Sequence, residues 1–285
     1  MRIDLHTHSR MSDGTDTPAG LVHAAAAVGL DVVALTDHDT AVGWPQAAAQ
    51  ASEVGVEFVP GMEISTRLEA DGRGHSVHLL GYYLDPTLPD LVAELDKVLS
   101  GRDGRVPGMV ERLNELGIPI TVDLVRRLSA DTTATGRPHV ADAMIHLGAV
   151  ADRDEAFERF LSPGRPAYVG RYAVDLAEAI RLVRRAGGVP VIAHPWGRTS
   201  NPVLTEPVLA DLVAAGLVGI EVDHQDHPPA QRDALRAIAA NLDLVVTGSS
   251  DYHGTGKVDH GLGCNTTAPE QFERIKGSRG HVDAH

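Results

Sequence analysis

Short apolar runs alternate with longer amphipathic stretches along most of the chain. Seven runs, several rich in Val and Ile, have the length and composition of buried β-strands and lie at residues 2–5, 31–35, 56–59, 77–83, 189–193, 218–222 and 242–247. Between most of them the apolar spacing predicts helices, at residues 17–29, 45–55, 176–187, 208–216 and 229–241. This alternation predicts an α/β fold with parallel strands, right-handed crossovers and a closed barrel.

One region breaks the alternation. Residues 101–166 contain several helical patterns and no strand of comparable quality, which predicts a helical insertion packed over one end of the barrel. The predicted barrel then comprises residues 1–100 and 167–275. Residues 276–285 lack periodicity, and we expect them to form a flexible tail.

Composition and charge limit the class of protein. Apolar residues make up 43% of the 285 residues, enough for a large core, yet no apolar run reaches the roughly 18 residues that a membrane span needs. Cys264 is the single cysteine, which excludes an intrachain disulfide and a thiolate metal cluster. These features predict a cytoplasmic protein with no membrane partner. The net charge of −14 disfavours duplex nucleic acid as a partner.

Histidines and acidic residues gather at the carboxyl ends of the predicted strands. His6 and His8 alternate at the first of these ends, so both imidazoles point to one side. An H-x-H pair alone is weak evidence for a metal site. Almost every later strand, however, also has a His, Asp or Glu near its carboxyl end, and active sites of parallel barrels lie at that end of the strands. The pattern therefore predicts a metal site with several ions. The later candidates are Asp13, Asp37, His38, Asp39, Glu63, His78, His194, Glu221, Asp223, His224, His227, Asp251 and His253.

These stretches resemble the motifs of the PHP (polymerase and histidinol phosphatase) metallohydrolase family. The matching segments are residues 4–9 (DLHTHS), 12–14 (SDG), 35–39 (LTDHD), 61–64 (GMEI), 193–195 (AHP) and 248–253 (GSSDYH). The resemblance implies a distorted (β/α)7 barrel, in agreement with the seven predicted strands. It also implies three divalent metal ions, held by His6, His8, Glu63 and Asp251, by Asp13, His38 and His253, and by Glu63, His78 and His194.

Nitrogen and oxygen ligands without thiolate suit Mn²⁺, Fe²⁺ or Zn²⁺, of which we expect Mn²⁺. The resemblance thus implies a phosphoric ester hydrolase whose nucleophile is a hydroxide bridging two metals. Asp251 and His253 would belong to the catalytic centre, and His227 is the candidate donor of a proton to the leaving oxygen. Asp37 and Asp39 flank His38, and we expect them to orient it.

Within the family, the chain is most similar to phosphoesterases that act on nucleoside 3′,5′-bisphosphates such as pAp and on short RNA 5′ ends. Residues 136–139 (GRPH) and 160–168 (FLSPGRPAY) of the insertion carry this similarity. Arg137 and Arg165 are the candidate ligands of a second phosphate, because a guanidinium matches phosphate oxygens. His139 and Tyr168 are weaker candidates. The predicted reaction is removal of the 3′-phosphate, with 5′-phosphorylated RNA as a further substrate.

Three alternatives stay open. A histidinol phosphate phosphatase would share the metal motifs, although a monoester needs only one phosphate site. An amidohydrolase would use a carboxylated lysine on a strand, and no lysine lies at a predicted strand end. A catalytically silent metal-binding module would keep the ligands without turnover, which metal analysis and an aryl phosphate assay would reveal. The sequence leaves the oligomeric state undetermined.

Overall fold

The computed structural model describes residues 1–129, 132, 135–197 and 203–280. Its strands are β1 (Ile3–Asp4), β2 (Val32–Leu35), β3 (Glu57–Ala70), β4 (Arg73–Tyr82), β5 (Val174–Asp175), β6 (Val189–Ile192), β7 (Gly219–Asp223) and β8 (Val245–Gly248). They form one sheet in the order β1-β2-β3-β4-β6-β7-β8, and β5 pairs with β3. The amide of His8 donates to the carbonyl of Tyr252 at 2.8 Å, which joins the chain after β1 to the chain after β8. The result is a nearly closed, distorted barrel.

Strand β4 departs from the predicted parallel arrangement. It runs antiparallel to both β3 and β6, whereas the pairs β1–β2, β2–β3, β6–β7 and β7–β8 are parallel. The cause is a two-residue turn at Asp71 and Gly72, both of which have positive φ, as a tight hairpin requires. A turn this short cannot carry the crossover that a parallel pair needs. The prediction of uniformly parallel strands is therefore wrong at β4.

Eleven helices are found among the described residues. They are α1 (Pro18–Ala27), α2 (Trp44–Val54), α3 (Pro89–Gly104), α4 (Val106–Glu115), α5 (Val122–Leu128), α6 (Arg137–His146), α7 (Arg153–Ala156), α8 (Leu176–Arg185), α9 (Glu206–Ala214), α10 (Pro229–Asn241) and α11 (Pro269–Gly277). A π-helical turn, Phe157–Leu161, follows α7. No helix of the described chain is long and apolar enough to cross a membrane.

The helical region and the barrel have separate apolar cores. Leu91 and Leu95, early in α3, pack with the barrel residues, whereas Val106 and Met109 pack with α5, α6 and the π-helical turn. The long helix α3 thus begins on the barrel and ends where the helical region starts. The packing changes partner near residue 101, although the helix itself begins at Pro89.

The described part of the predicted flexible tail makes hydrogen bonds to the rest of the chain. Helix α11 continues to Gly277, and the amide of Gly280 donates to the carbonyl of Gly187 at 3.0 Å. The guanidinium of Arg184 also donates to the carbonyl of Ser278 at 2.7 Å. Residues 276–280 therefore contact α8 and the turn that follows it, and the flexibility of the tail stays a prediction. Residues 281–285 of the predicted tail lie outside the described residues.

Apolar side chains fill the interior of the barrel, and polar side chains occupy its end at the carboxyl termini of the parallel strands. Ile3, Leu5, Val32, Leu80 and Val191 form the apolar layer, each fully or almost fully buried. The next positions at the carboxyl ends of the parallel strands are buried too, but they carry imidazoles and carboxylates. Burying so many ionisable groups costs free energy unless they are hydrogen-bonded or paired with each other, or coordinate a bound ion.

Candidate active site

The nine predicted metal ligands converge at this polar end of the barrel. Seven of them are less than a tenth exposed, while the side chains of His78 and His194 are about a quarter exposed and face the opening. Strand ends supply most of them, β3 and β4 supply Glu63 and His78, and a turn after β1 supplies Asp13. The fold therefore brings together residues that are as far apart in sequence as His6 and His253.

Glu63 lies at the centre of the group. Its Oε2 atom is 3.1–3.3 Å from ring nitrogens of His6, His8 and His38. Its Oε1 atom is 2.7 Å from Nδ1 of His78 and 3.3 Å from Nε2 of His194. Because the two oxygens face different sets of imidazoles, this one carboxylate can bridge two adjacent metal positions.

The first ligand set surrounds the ends of His6 and His8. Their Nε2 atoms are only 3.0 Å apart, and they lie 3.4 and 3.5 Å from Oδ1 of Asp251. Two imidazole nitrogens that face each other at this distance require a proton or a cation between them. The donor atoms of His6, His8 and Asp251 are close enough together to share one ion.

The second ligand set is built around Asp13. Its Oδ1 is 3.3 Å from Nε2 of His253, and its Oδ2 is 3.7 Å from Nε2 of His38. Nδ1 of His8 lies 3.8 Å from the same carboxylate, so His8, which has one unprotonated nitrogen as a neutral imidazole, can contribute either to this position or to the first. The resemblance did not place His8 at this position.

The third ligand set combines Glu63 and His78 with two further imidazoles. His38, through its other ring nitrogen, is close enough to Glu63 and His78 to share an ion with them. His194 approaches the same oxygen of Glu63 from the β6 side, with its Nε2 at 3.3 Å. The resemblance implied His194 but not His38 at this position.

The protonation states of these groups are set by their neighbours. Burial opposes the charged form of His6 and His8, but neighbouring carboxylates raise the pKa of His6 well above its ordinary value and that of His8 to about 9. A divalent ion would therefore displace a proton from each of these two imidazoles.

Burial alone would raise the pKa of the carboxyl groups of Asp13, Glu63 and Asp251, but the surrounding imidazoles, and Lys257 beside Asp251, hold each pKa well below its ordinary value. Burial lowers the pKa of His38 to about 3, so this imidazole is neutral. Its buried Nδ1 makes no hydrogen bond within the described part of the chain. Ionised carboxylates and neutral imidazoles are the forms that bind divalent cations, so the donor set fits such ions.

Neighbouring groups fix the orientation of several ligands. Glu221, which is fully buried, accepts from Nδ1 of His6 at 3.1 Å and from the amide of His194 at 2.9 Å. Nδ1 of His253 donates to the carbonyl of Asp251 at 2.8 Å. In His6 and His253, a proton on Nδ1 that bonds to these oxygens would leave Nε2 free to bind an ion, as metal-binding histidines require. The carboxylate of Asp251 is itself contacted by His224 Nε2 at 3.2 Å and by the ammonium group of Lys257.

Asp37 and Asp39 hold the backbone on either side of His38. Asp37 accepts from the amide and hydroxyl of Ser9, at 2.8 and 2.6 Å, and burial raises its pKa to about 6. Asp39 accepts from the amide of Ser65 at 2.7 Å and from Nε of Arg102 at 2.7 Å. The two carboxylates therefore position His38 through the chain on which it sits, as expected of groups that support a ligand.

A cavity of about 240 Å³ opens above the ligands and has a strongly cationic wall. Five arginines and Lys257 line it. Four of the arginines form one cluster, namely Arg102, Arg105, Arg137 and Arg171, and the fifth is Arg153. Arg105 is only 6% exposed, and its Nε makes no hydrogen bond to any described residue. Burial and the charge of Arg137 lower the pKa of Arg105 to about 8, and burial together with Arg102 lowers that of Arg171 to about 10. Such crowding of like charges favours an anion in the cavity.

Of the two arginines predicted to bind a second phosphate, Arg137 lines this cavity and Arg165 does not. The guanidinium of Arg137 lies over the rings of Phe157 and Tyr168, at 5.2 and 5.8 Å from their centroids, which holds the group in place. Tyr168 therefore acts on the cavity through Arg137. Arg165 is exposed, in a turn where its amide donates to the carbonyl of Ser162 at 2.9 Å, and it is not among the described residues of the cavity wall.

His139 and His227 have structural partners instead of the predicted roles. Nδ1 of His139 accepts from the amide of Gly136 at 3.1 Å and so caps the start of α6. Nδ1 of His227 donates to the carbonyl of Val222 at 2.9 Å, and its Nε2 accepts from the amide of Trp196 at 3.2 Å. Because both ring nitrogens of His227 bond to the backbone, it has no proton directed at a leaving group.

The sequence reading missed most of the cationic wall. Arg102 and Arg105 lie at the end of α3, and Arg171 follows the helical region, positions where an arginine is usually solvated. Lys257, next to Asp251, is one of only three lysines in the chain. A rare lysine so close to the 248–253 motif could have marked Lys257 as a candidate site residue. The sequence around Arg102, Arg105 and Arg171 has no comparable feature.

Comparisons with known proteins agree with this geometry. A family model described as the PHP domain matches residues 4–120. The 3′,5′-nucleoside bisphosphate phosphatase of Chromobacterium violaceum is 36% identical over 270 residues, which cover 94% of this chain and 92% of that protein. The 5′-3′ exoribonuclease of Haemophilus influenzae is also 36% identical, over 88% of this chain and 90% of its own.

A solved structure shares the whole architecture. It comes from Bifidobacterium adolescentis and is described, provisionally, as a metal-dependent phosphoesterase. The TM-score is 0.91 with 38% sequence identity, and the match covers 98% of this chain and 97% of the other. The similarity therefore includes both the barrel and the helical region above it.

Proposed function

Because the chain belongs to the PHP domain family, we propose that it is a metal-dependent phosphoesterase that removes the 3′-phosphate from nucleoside 3′,5′-bisphosphates. The 5′-phosphorylated ends of short RNA are a further substrate of the same site. One observation carries the proposal: a single cavity contains both the ligand groups around Glu63 and a cluster of arginines with few carboxylates beside it. Two separate anion-binding features suit a substrate with two phosphates.

The ligand groups support binding of three divalent ions, of which Mn²⁺ is our candidate. His6, His8, Glu63 and Asp251 would hold the first ion. Asp13, His38 and His253 would hold the second, and Glu63, His78 and His194 would hold the third. When bound, the ions supply Lewis acidity to the phosphoryl group and activate water for attack.

The arginine cluster would bind the phosphate that is not cleaved. The guanidinium groups of Arg102, Arg105, Arg137 and Arg171 carry four positive charges, and Asp39, the carboxylate bonded to Arg102, offsets one of them. A surplus of about three charges suits a phosphate dianion, although the protein as a whole carries −14. Guanidinium groups also offer paired N–H donors that match phosphate oxygens.

Comparison of substrates tests the proposal directly. The protein is reconstituted with Mn²⁺ and assayed with pAp, p-nitrophenyl phosphate, histidinol phosphate and a short 5′-phosphorylated RNA. We expect the highest kcat/KM with pAp. Preferred turnover of histidinol phosphate would assign the chain to the monoester phosphatases of the family and would refute the proposed substrate.

The variants Arg105→Met and Arg137→Met test the role of the cluster. A hydrogen bond to a charged group contributes about 1.5–3 kcal/mol, so each variant should lower kcat/KM for pAp by about 10- to 150-fold. The loss with p-nitrophenyl phosphate, which has no second phosphate, should stay below about 3-fold. Arg159→Met is the matched control, because Arg159 is exposed on the same helical region and, among the described residues, pairs only with Glu155 and the ring of Phe160. Equal losses on both substrates would remove the cluster from substrate recognition.

A further inference from the structure

Asp13 differs from the other candidate ligands in how the fold supports it. The others lie on a strand or within a few residues of a strand end, whereas Asp13 lies in a turn that closes with the amide of Gly14 donating to the carbonyl of Ser9. A Cβ at Gly14 would lie 2.2 Å from the carbonyl oxygen of His8, so the turn is very tight. A ligand on such a turn needs support from outside the barrel.

The helical region provides that support through consecutive carbonyl groups of the turn. Oγ1 of Thr132 lies 2.9 Å from the carbonyl oxygen of Met11 and 2.7 Å from that of Ser12. Nη1 of Arg153 donates to the carbonyl of Asp13 at 2.9 Å. Side chains of the helical region thus contact three consecutive carbonyl groups, and the single hydroxyl proton of Thr132 is shared between the first two.

Arg153 is rigidly fixed. Its Nε and Nη2 atoms donate to the two carboxylate oxygens of Asp142, both at 2.7 Å, in a bidentate pair. The side chain of Arg153 is only 14% exposed. A bidentate pair sets the direction of the guanidinium plane, so the remaining nitrogen, Nη1, points at the Asp13 turn in a defined geometry.

The same guanidinium group also covers the loop that carries His253. A Cβ added to Gly256 would lie 2.5 Å from Nη1 of Arg153, so the loop approaches the guanidinium as closely as glycine allows. The two loops are bonded to each other, since the amide of Thr15 donates to the carbonyl of His253 at 3.2 Å. Arg153 therefore lies over the junction of the two loops that supply Asp13 and His253.

We propose that Arg153, oriented by Asp142, is a positioning residue that sets the geometry of the second metal position. It holds the carbonyl of Asp13 and packs on the His253 loop, so the helical region determines whether this position is occupied. The inference rests on the proposed function, which assigns Asp13 and His253 as ligands. It extends that function by giving the insertion a role in metal binding in addition to its arginine cluster.

Metal-binding measurements test the inference without relying on turnover. Apo-protein is titrated with Mn²⁺ by calorimetry, and free Mn²⁺ is followed by electron paramagnetic resonance. Groups that support metal ligands typically contribute 10- to 100-fold in affinity, so Arg153→Met should weaken one Mn²⁺ equivalent by that factor and leave the others unchanged. Arg159→Met, also in the helical region but remote from the Asp13 turn, should bind like the unaltered protein.

Two further measurements separate positioning from a general structural role. Excess Mn²⁺ should restore phosphatase activity to Arg153→Met. Arg153→Lys keeps the charge but loses the paired N–H donors, so its Mn²⁺ affinity should lie between those of Arg153→Met and the unaltered protein. If Arg153→Met lowers only the melting temperature and binds every equivalent with unaltered affinity, the inference is wrong. Asp142→Asn retains the guanidinium and provides the same test if Arg153→Met does not fold. Failure of the unaltered protein to bind Mn²⁺ would instead refute the proposed function.

Discussion

The buried pair between Arg102 and Asp39 offers a quantitative test of how the helical region is joined to the metal site. Arg102 is 4% exposed and Asp39 1% exposed. Nε of Arg102 donates to Oδ2 of Asp39 at 2.7 Å, and one Nη donates to the hydroxyl of Ser65, also at 2.7 Å. Substitution of Arg102 by Met keeps much of the apolar stem and removes both donors.

The expected loss of stability follows from the carboxylate that remains. Removing one partner of a buried ion pair costs about 3–5 kcal/mol, because the other charge is left without compensation. Asp39 keeps the amide and hydroxyl of Ser65 as donors, so we expect a value near the lower limit, about 3 kcal/mol. For a protein of this size 1 kcal/mol corresponds to roughly 2–4 °C, which gives a fall of about 6–12 °C in Tm.

The sign of the pH dependence gives an independent check. Burial would raise the pKa of Asp39, but the charge of Arg102 outweighs it and the pKa is lowered. In the unaltered protein this contribution to stability is present above the unfolded-state pKa and is lost as the pH falls through the lowered value. In Arg102→Met the effect of burial is opposed only by weaker neighbours such as Arg171 and the amide of Ser65, so the pKa of Asp39 rises and the variant is penalised most at neutral pH. The difference in Tm should therefore shrink as the pH falls from about 7 towards 4.

Thermal unfolding with excess chelator, followed by circular dichroism, measures this effect apart from metal binding. The double variant Arg102→Met/Asp39→Asn removes the stranded charge and should recover a large part of the lost stability. The reasoning is refuted if Arg102→Met melts within about 2 °C of the unaltered protein at neutral pH. It is equally refuted if the double variant is as unstable as the single one.

Four further predictions concern the metal ligands and the candidate substrate residues. Removal of divalent ions by chelation should abolish phosphatase activity, and added Mn²⁺ should restore it; activity that survives verified demetallation would contradict the mechanism. Glu221→Gln should weaken Mn²⁺ binding by about 10- to 100-fold, measured by competition with a chelating dye, because His6 loses its charged acceptor. His227→Asn should lower stability by about 1–3 kcal/mol in chemical denaturation without shifting the pH profile of kcat, since both ring nitrogens serve the backbone. Arg165→Ala should change kcat/KM for pAp by less than about 2-fold, and a loss as large as that of Arg137→Met would restore Arg165 to the phosphate site.

The convergence of the candidate ligands could be inferred from the sequence because it follows from strand geometry. His6 and His8 alternate at the end of an apolar run, and Asp251 and His253 do the same after β8, so their common location needs only the polarity of parallel strands. The distorted barrel could be inferred for the same reason. The antiparallel β4 could not, because the apolar pattern of a strand is the same in either direction and the two-residue turn at Asp71 decides the matter.

The second anion-binding feature depended on the tertiary structure. Arg105 and Arg171 lie far apart in sequence, at the end of a helix and in a loop, and no periodicity connects them. Their shared cavity exists because the helical region packs over the barrel end, and Arg165, which stands in the more suggestive motif, remains outside. Likewise, only the backbone partners of His227 show that its nitrogens are engaged.

By itself, the sequence determined the family, the barrel and the side chains that meet at its polar end, because these follow from specific motifs and from regular spacing along strands. Tertiary structure alone decided which guanidinium groups share the cavity and which imidazoles face each oxygen of Glu63. It also decided that Arg153 donates to the carbonyl of Asp13. Those features are contacts between separately folded elements. Their geometry is set by packing and by the direction of individual hydrogen bonds, neither of which leaves a periodic trace in the order of residues.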